Sequence, residues 1–438
     1  MSRFRAAGAH ALTASRVDAA GGAAYAAEDD LLPQRAERPA RVQRIGIFGL
    51  LGSGNIGNDA SMVSVVSYLR KSHPDAVIDA MCSGPQQLRD IHGIDGIPLS
   101  WYQDHDVPRL RVAAPILKIL GKGIDVVRTA AWVRRHDVVI VPGMGVLETD
   151  LPIKPFGFPY AIFLLSACGR VLGTKVAFIG VGANVITQRT TRWFFSTAAR
   201  LATYRSYRDD FSRQAIRMMG VASQTDDVSP DVVFGLPLAA SRPADPATVA
   251  VGVMDFHGSN DDRAQAAQIY ARYVDNMTSF IAWLVGQGWT VRLVVGDARW
   301  DLEVAHEIIA RIADQLPSLE PDRIVAQPIH TVAQLTEALA SAKFVVAARY
   351  HNVILALRLN KPTIAVAYAP KHEVLMSDMN LARFVQRAAS LDVGRLIEQF
   401  NELEACSDSL VREISQHNAV NARQVEEQFR RMSQALLS

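Results

Sequence analysis

The stretch Lys343-Phe344-Val345-Val346-Ala347-Ala348-Arg349-Tyr350-His351 is the part of the chain that decides the fold class. Residues 343–348 have the apolar, β-branched content of a buried strand, and they lead directly into an arginine and a histidine. Asn352 then opens a helix-like segment, 353–359, and a second apolar run follows at 363–367. The pattern predicts a strand, a helix and a second, parallel strand.

Lys371 follows the second apolar run, as Arg349 and His351 follow the first. Because parallel strands end at the same edge of a sheet, we expect these three side chains to meet there, where ligands of open α/β sheets bind. Arginine offers a planar fork for carboxylate or phosphate, and histidine can move a proton near neutral pH. The arrangement favours a small, highly charged anion as ligand.

The same alternation of strands and helices continues through most of the chain and favours parallel βαβ units. The predicted strands are 44–50, 77–82, 137–142, 175–180, 249–254, 290–295 and 324–326, and the predicted helices include 58–71, 160–172, 192–202, 263–286, 300–315 and 332–340. This pattern predicts an α/β fold of two Rossmann-like doubly wound domains that face a cleft, which is the GT-B-like architecture. Strand order stays open.

The prolines at 237, 243 and 246 indicate a boundary between the two halves. We predict a disordered or variable extension at 1–42, a first domain at 43–240, a second at 248–392, and helices at 393–438 that pack back on both. The 438 residues are enough for two large cores.

Composition excludes several classes of protein. The formal net charge is +2, so no affinity for polyanions such as nucleic acid is expected from the total. The three cysteines lie far apart without metal-binding spacing, which fits a reducing cytoplasm and no zinc site. No apolar run is long enough for a transmembrane helix. Basic residues within 108–135 could face anionic lipid at the inner face of the membrane, although a solvated helix face is favoured.

A glycine-rich loop follows the first predicted strand. Gly52, Gly54 and Gly57 match the spacing of a dinucleotide-binding loop, and Asp79 lies near the position of a ribose-binding acid. Asn55 and the polar residues after Gly57 argue against NAD, since that loop normally keeps the helix start small and apolar. A loop of a catalytic cleft is favoured; a plain turn with Asn58 or Asp59 as N-cap and an NAD site stay open.

An ordered set of motifs resembles the polysaccharide pyruvyl transferase family. The set comprises Gly54-Asn55-Ile56-Gly57-Asn58-Asp59-Ala60, Pro142-Gly143-Met144-Gly145, the block from Tyr204 to Ser212, Asp227 to Phe234, Arg349-x-His351 and Tyr368-x-x-Lys371. It spans about 44–375 in the family's order. One departure is Asn58, where many members have an acid directly after the loop glycine.

The resemblance implies transfer of pyruvate from phosphoenolpyruvate to a saccharide as a cyclic ketal, with release of phosphate, in cell-envelope or exopolysaccharide biosynthesis. Arg349 and Lys371, with Arg205 or Arg208, would bind the phosphate and carboxylate of the donor. Of the last two, Arg205 is preferred as ligand-facing and Arg208 as structural. His351 would be the acid that protonates the methylene carbon.

Other residues would complete the cleft. The expected cleft loops contain Gly54, Asn55, Gly57, Asp59, Gly143 and Gly145, while Glu148 and Asp150 could bind acceptor hydroxyls and Asp255 and His257 could line the cleft. Phosphoenolpyruvate is expected as the co-substrate. No cofactor and no metal are expected. The acceptor could be linked to a lipid, with peripheral membrane contact.

Two alternatives stay open beside an NAD enzyme. A nucleotide-sugar glycosyltransferase of similar fold would need an acid for the ribose, and Glu373 could supply it. A catalytically silent relative would bind a saccharide or a partner enzyme. The joint presence of two cations and a potential proton donor at 349, 351 and 371 argues against the silent relative, because a binding module has no need of that donor.

Overall fold

The structure is a computed structural model, which describes residues 42–104, 114–148, 154–238 and 243–437. The predicted extension, apart from Val42, and Asp150 therefore lie outside the described residues. The described part of the chain contains two parallel sheets, one in each half.

The first sheet has the strand order β3-β2-β1-β4-β5-β6-β7, with every pairing parallel. Its strands are β1 (Arg44–Gly49), β2 (Val77–Cys82), β3 (Gly96–Pro98), β4 (Val138–Pro142), β5 (Lys175–Val181), β6 (Tyr204–Tyr207) and β7 (Asp227–Val228). The helices are α1 (Ile56–Ser72), α2 (Pro85–His92), α3 (Trp101–Asp104), α4 (Ala114–Val133), α5 (Phe158–Leu172), α6 (Arg189–Leu201) and α7 (Asp210–Met218).

The second sheet has the order β10-β9-β8-β11-β12-β13, again parallel throughout. Its strands are β8 (Asp245–Gly252), β9 (Thr290–Val294), β10 (Ile324–Ala326), β11 (Ala342–Ala347), β12 (Thr363–Ala367) and β13 (Val385–Arg387). The helices are α8 (Ala266–Gly286), α9 (Asp301–Gln315), α10 (Val332–Ala340), α11 (Tyr350–Arg358) and α12 (Pro370–Asp378), followed by α13 (Val393–Ala405) and α14 (Ser407–Leu436).

One interior strand of each sheet is buried along its whole length. Every residue of β4, with the sequence VVIVP, is buried, and so is every residue of β12, with the sequence TIAVA. Helices cover both faces of a doubly wound sheet, so such strands read as continuous apolar runs without alternation. The predicted fold class of two doubly wound domains is confirmed.

In each sheet the strand order reverses once. The first sheet reverses between β1 and β4, and the second between β8 and β11. Loops leave the carboxyl ends of these neighbouring strands in opposite directions, which opens a crevice where ligands bind in such folds. The two reversal points therefore identify where a site is expected.

Two helix starts differ from the predictions in a way that matters for the site. α1 begins at Ile56 with Asn55 as its N-cap, so neither Asn58 nor Asp59 caps it. α11 begins at Tyr350, which puts His351 in its first turn. Within the described residues, no helix is both long enough and apolar enough to cross a membrane.

Candidate active site

A cavity of about 260 Å³ lies between the two halves, at the carboxyl ends of both sheets. Six of the predicted cleft residues line it from loops and helix starts that follow the strands: Asn55 after β1, Gly145 and Glu148 after β4, Arg208 after β6, Arg349 and His351 after β11. Lys371, in the first turn of α12 after β12, lines it as well. Side chains that follow parallel strands meet at one edge of the sheet, which we call the strand-end rule. This rule brings Arg349, His351 and Lys371 together, as the sequence predicts.

Arg349 is held by a carboxylate at the start of α9, the helix that follows β9. Its Nε and Nη2 donate to Asp301 at 2.9 and 2.7 Å, and the carboxylate of Asp301 is fully buried. Asp301 also accepts from the backbone N–H groups of Gly296 and Asp297, at 3.1 and 2.9 Å. This bidentate pair fixes the guanidinium plane and leaves Nη1 without a hydrogen-bond partner among the described residues. The side chain is 23% exposed and faces the cavity.

Glu148 joins two further cations across the cavity. It pairs with Arg208 and, at 3.0 Å, with the ammonium of Lys371. Arg208 is almost fully buried, and its guanidinium stacks 4.7 Å above the ring of Tyr350. Burial raises the pKa of Glu148, but Arg208 and Lys371 outweigh it and hold that pKa at about 2. Glu148 is therefore a carboxylate that links the first half to the second.

His351 is neutral in this environment. Burial is the largest cause that lowers its pKa, and the positive charges of Arg208 and Lys371 lower it further, to about 3. Its Nε2 atom is buried and has no hydrogen-bond partner among the described residues. Such an unpaired polar group is costly, and it marks a position where a ligand could supply the partner.

The glycine-rich loop serves the contact between the halves. The backbone N–H of Ile56 donates to the carbonyl of Gly296 at 3.1 Å, and that of Ala298 to the carbonyl of Gly54 at 3.3 Å. Gly57 faces the His351 ring so closely that an added Cβ would lie 2.1 Å from Nδ1. Its lack of a side chain therefore lets the imidazole pack against the start of α1.

Two predicted loop residues lie behind the cavity. Asp59 is buried and accepts from the backbone N–H of Gly52 at 2.8 Å. Burial raises its pKa to about 6. Gly143 adopts φ +47° against Ser61, where a Cβ would clash at 2.7 Å. Both residues shape the loops and do not line the cavity.

The structure reverses the preference between Arg205 of β6 and Arg208, which directly follows β6. Arg205 pairs with Asp226 at 2.7 Å and donates to the carbonyl of Ala199, away from the cavity. Arg208 lies three residues later, at the carboxyl end of the strand, and lines the cavity. Arg205 is therefore not brought together with the other candidate residues.

Three further candidate residues, Asp79, Glu373 and His257, contact other side chains outside the cavity. Asp79, weighed as a ribose-binding acid, accepts from Trp132 Nε1 at 2.7 Å near the start of its strand. Glu373 pairs with Arg387 at 2.7 Å. His257 pairs with Asp255 at 2.8 Å outside the cavity lining.

Sequence reasoning missed the contribution of the loop after β9. Asp297, Arg299 and Trp300 line the cavity, and Asp301 anchors Arg349. The signal was available, because these residues directly follow the predicted strand 290–295 and so obey the same strand-end rule.

In the described residues, no group of three His, Cys, Asp or Glu side chains could hold a metal ion.

Comparison with known proteins gives a family and a fold. The sequence model of the family described as polysaccharide pyruvyl transferase matches residues 55–370. No curated protein matches the chain in sequence.

Similar solved structures include UDP-GlcNAc 2-epimerases. The enzyme from Neisseria meningitidis bound to UDP-GlcNAc has a TM-score of 0.57 and 12% identity, covering 90% of this chain and 100% of that one. The enzyme from Methanocaldococcus jannaschii has a TM-score of 0.53 and 10% identity, with coverage of 82% and 92%. A putative UDP-N-acetylglucosamine 2-epimerase from Listeria monocytogenes has a TM-score of 0.56 and 11% identity, with coverage of 85% and 91%. At these identities the likeness concerns the GT-B-like fold alone.

Proposed function

The chain belongs to the polysaccharide pyruvyl transferase family, and we propose that it transfers the pyruvyl unit of phosphoenolpyruvate to two hydroxyls of a saccharide as a cyclic ketal. The observation that carries this proposal is the set of cations around one buried, unpaired imidazole nitrogen in the cavity. We further propose cell-envelope or exopolysaccharide biosynthesis as the context, on the cytoplasmic side of the membrane.

The charges of the cavity suit a donor with two anionic groups. Arg349, Arg208 and Lys371 line it together with the exposed Arg299. Nη1 of Arg349 can donate to a phosphate or carboxylate without breaking the pair with Asp301. The donor would share Arg208 and Lys371 with Glu148, so its binding weakens that bridge.

His351 is the proposed proton donor, and its protonation would depend on the anionic donor. A neutral imidazole with a pKa of about 3 cannot act as an acid near neutral pH. The positive charges of Arg208 and Lys371 lower the pKa of His351. Because bound phosphoenolpyruvate would bring negative charge next to these two cations, it would raise the pKa of His351. The acid would form only in the presence of the donor.

The proposed reaction balances without a cofactor. The methylene carbon of the donor gains a proton, which makes C2 electrophilic, and one sugar hydroxyl adds there and loses its proton. The second hydroxyl then forms the other C2–O bond as the C2–O bond to phosphate breaks, and its proton leaves with the phosphate or a base. Glu148, a carboxylate in the cavity, can accept a hydrogen bond from an acceptor hydroxyl.

The test measures phosphate release and ketal formation from phosphoenolpyruvate with a panel of saccharide acceptors. We expect turnover by the intact chain and a loss of roughly 10²–10⁴-fold in His351→Gln. His257→Gln is the matched control, because that histidine lies outside the cavity. Retention of most turnover by His351→Gln would remove His351 from the chemistry. Product formed only from UDP-sugars would refute pyruvyl transfer.

A further inference from the structure

The outer surface of the first half carries a stripe of exposed apolar residues on α4. Leu120, Ile124 and Val127 follow each other at helical spacing, and Val127 is 69% exposed. An apolar stripe on a helix normally faces a core. Here a different face of α4, which includes Trp132, is the one that is buried. The outward stripe thus has no partner within the described part of the chain.

Aromatic side chains continue this surface on the two neighbouring helices. Phe156, just before α5, is 58% exposed and Trp193 of α6 is 54% exposed. Their rings belong to one cluster, in which Phe163 contacts Trp193 at 5.0 Å and Phe156 contacts Phe194 at 5.7 Å between ring centroids. The helices pack side by side in the order α4, α5, α6. The exposed apolar residues thus lie on or next to three helices that pack in a row, and we call them the α4–α6 surface.

The charged side chains of these three helices and of the residues beside them are almost all basic. Residues 114–135, 154–172 and 189–201 contain ten Lys or Arg and a single acid, Asp125. Asp125 is buried and pairs with Lys122 at 3.1 Å, so it does not offset the exposed cations. The whole chain is nearly balanced, with 46 Lys and Arg against 44 Asp and Glu. Positive charge is therefore concentrated where the exposed apolar side chains lie.

We propose that the α4–α6 surface binds an anionic lipid bilayer. Exposed tryptophan, phenylalanine and aliphatic side chains insert at the boundary between headgroups and acyl chains, and flanking cations attract anionic headgroups. Long Lys and Arg side chains can lay their stems on apolar surface while the charge stays at the headgroups. A second copy of the chain fits less well, because a symmetric dimer would press two positive surfaces together.

The surface also lies next to the candidate active site. Phe158, the first residue of α5, lines the cavity and stacks against Phe48 with 6.3 Å between ring centroids. A protein held to a bilayer by α4–α6 would therefore keep one wall of its cavity close to the headgroups. This extends the proposed function, on which it rests, to a saccharide carried on a lipid.

Cosedimentation of the full chain with lipid vesicles tests the proposal. We expect binding to phosphatidylcholine vesicles that contain phosphatidylglycerol to be at least about tenfold stronger than to phosphatidylcholine alone. An apolar variant combines Val127→Gln, Phe156→Ser and Trp193→Gln, and a charge variant combines Lys154→Gln, Arg170→Gln and Arg189→Gln. Each should weaken binding by about tenfold or more.

The matched control combines Phe211→Ser, Val411→Gln and Val420→Gln, three exposed apolar residues on α7 and α14. It should bind vesicles like the unaltered chain. Equal binding of all variants, or no binding by the unaltered chain, would overturn the proposal. So would a change from dimer to monomer in the apolar variant without vesicle binding, since the surface would then be a contact between copies. The assay contains neither donor nor saccharide, so it stands apart from the test of the transferase reaction.

Discussion

At the residue scale, His351 shows how position and charge together define a role. Its place after β11 follows from the strand-end rule, and the sequence predicts it. Its low pKa depends first on burial and then on the charges of Arg208 and Lys371, which follow strands of both halves. Sequence spacing gives no measure of such through-space charge, so the low pKa could not be predicted.

We expect the pKa of His351 to rise when phosphoenolpyruvate binds. In the free protein the pKa is about 3, because burial and two cations disfavour the imidazolium, and bound anions would reverse the second effect. A histidine-labelled NMR titration, with His351→Gln to assign the signal, measures this pKa with and without the donor. An unchanged pKa in the saturated complex would contradict the role of His351 as acid.

Arg205 in β6 and Arg208 just after it mark the limit of residue-level prediction. Both follow the family motif, and charge alone does not distinguish them. Their positions in the strand do, because Arg208 comes after the last strand residue whereas Arg205 comes near the first. The boundary of a four-residue strand is hard to fix from sequence, and this explains the reversed preference.

At the element scale, the start of α1 in the first half contacts the second half, at Gly296 and His351. Prediction located strands well, with 77–82, 324–326 and 363–367 matching the structure. The strand at 363–367 is buried along its whole length, and such strands are continuous apolar runs. Helix α12 was not predicted, since its hydrophobic pattern is weak. The packing of α1 against His351 was not predicted either, because it depends on how the halves meet.

We expect Gly57→Ala to reduce turnover much more than it reduces stability. The new Cβ would lie 2.1 Å from Nδ1 of His351 and would displace the imidazole. Gly286→Ala at the end of α8 is the matched control, because its Cβ meets nothing within 4 Å. That change should leave turnover intact and raise stability by about 0.5–1 kcal/mol. Steady-state kinetics and urea unfolding measure both effects; equal turnover in the two variants would remove the proposed contact.

At the scale of the whole molecule, α14 connects the two halves. Gln428 donates to the hydroxyl of Ser206 in the first half at 2.6 Å, and Asn418 donates to the carbonyl of Leu357 in the second half at 2.6 Å. Sequence analysis predicts helices that pack back on both domains, but not these partners. Strand order likewise stayed open, because it depends on long-range pairing that local patterns do not encode.

We expect Phe429→Ala to lower the free energy of unfolding by about 3–5 kcal/mol. Phe429 is buried on α14, and its ring lies 5.1 Å from that of Tyr68 on α1. Val420→Ala is the control on the exposed side of the same helix and should change stability by less than about 0.5 kcal/mol. Urea unfolding followed by circular dichroism measures the difference. Equal stability of the two variants would show that α14 contributes little to the fold.

The central claim, that the cavity between the halves binds phosphoenolpyruvate, is tested most directly by calorimetric titration. The ligands are phosphoenolpyruvate, a UDP-sugar and NAD, and the proteins are the unaltered chain, Arg349→Ala and Arg205→Ala. The two arginines form similar pairs with Asp301 and Asp226, but only Arg349 lines the cavity. We expect phosphoenolpyruvate alone to bind, with affinity lost in Arg349→Ala and kept in Arg205→Ala. Binding of the UDP-sugar without any response to phosphoenolpyruvate would contradict the claim.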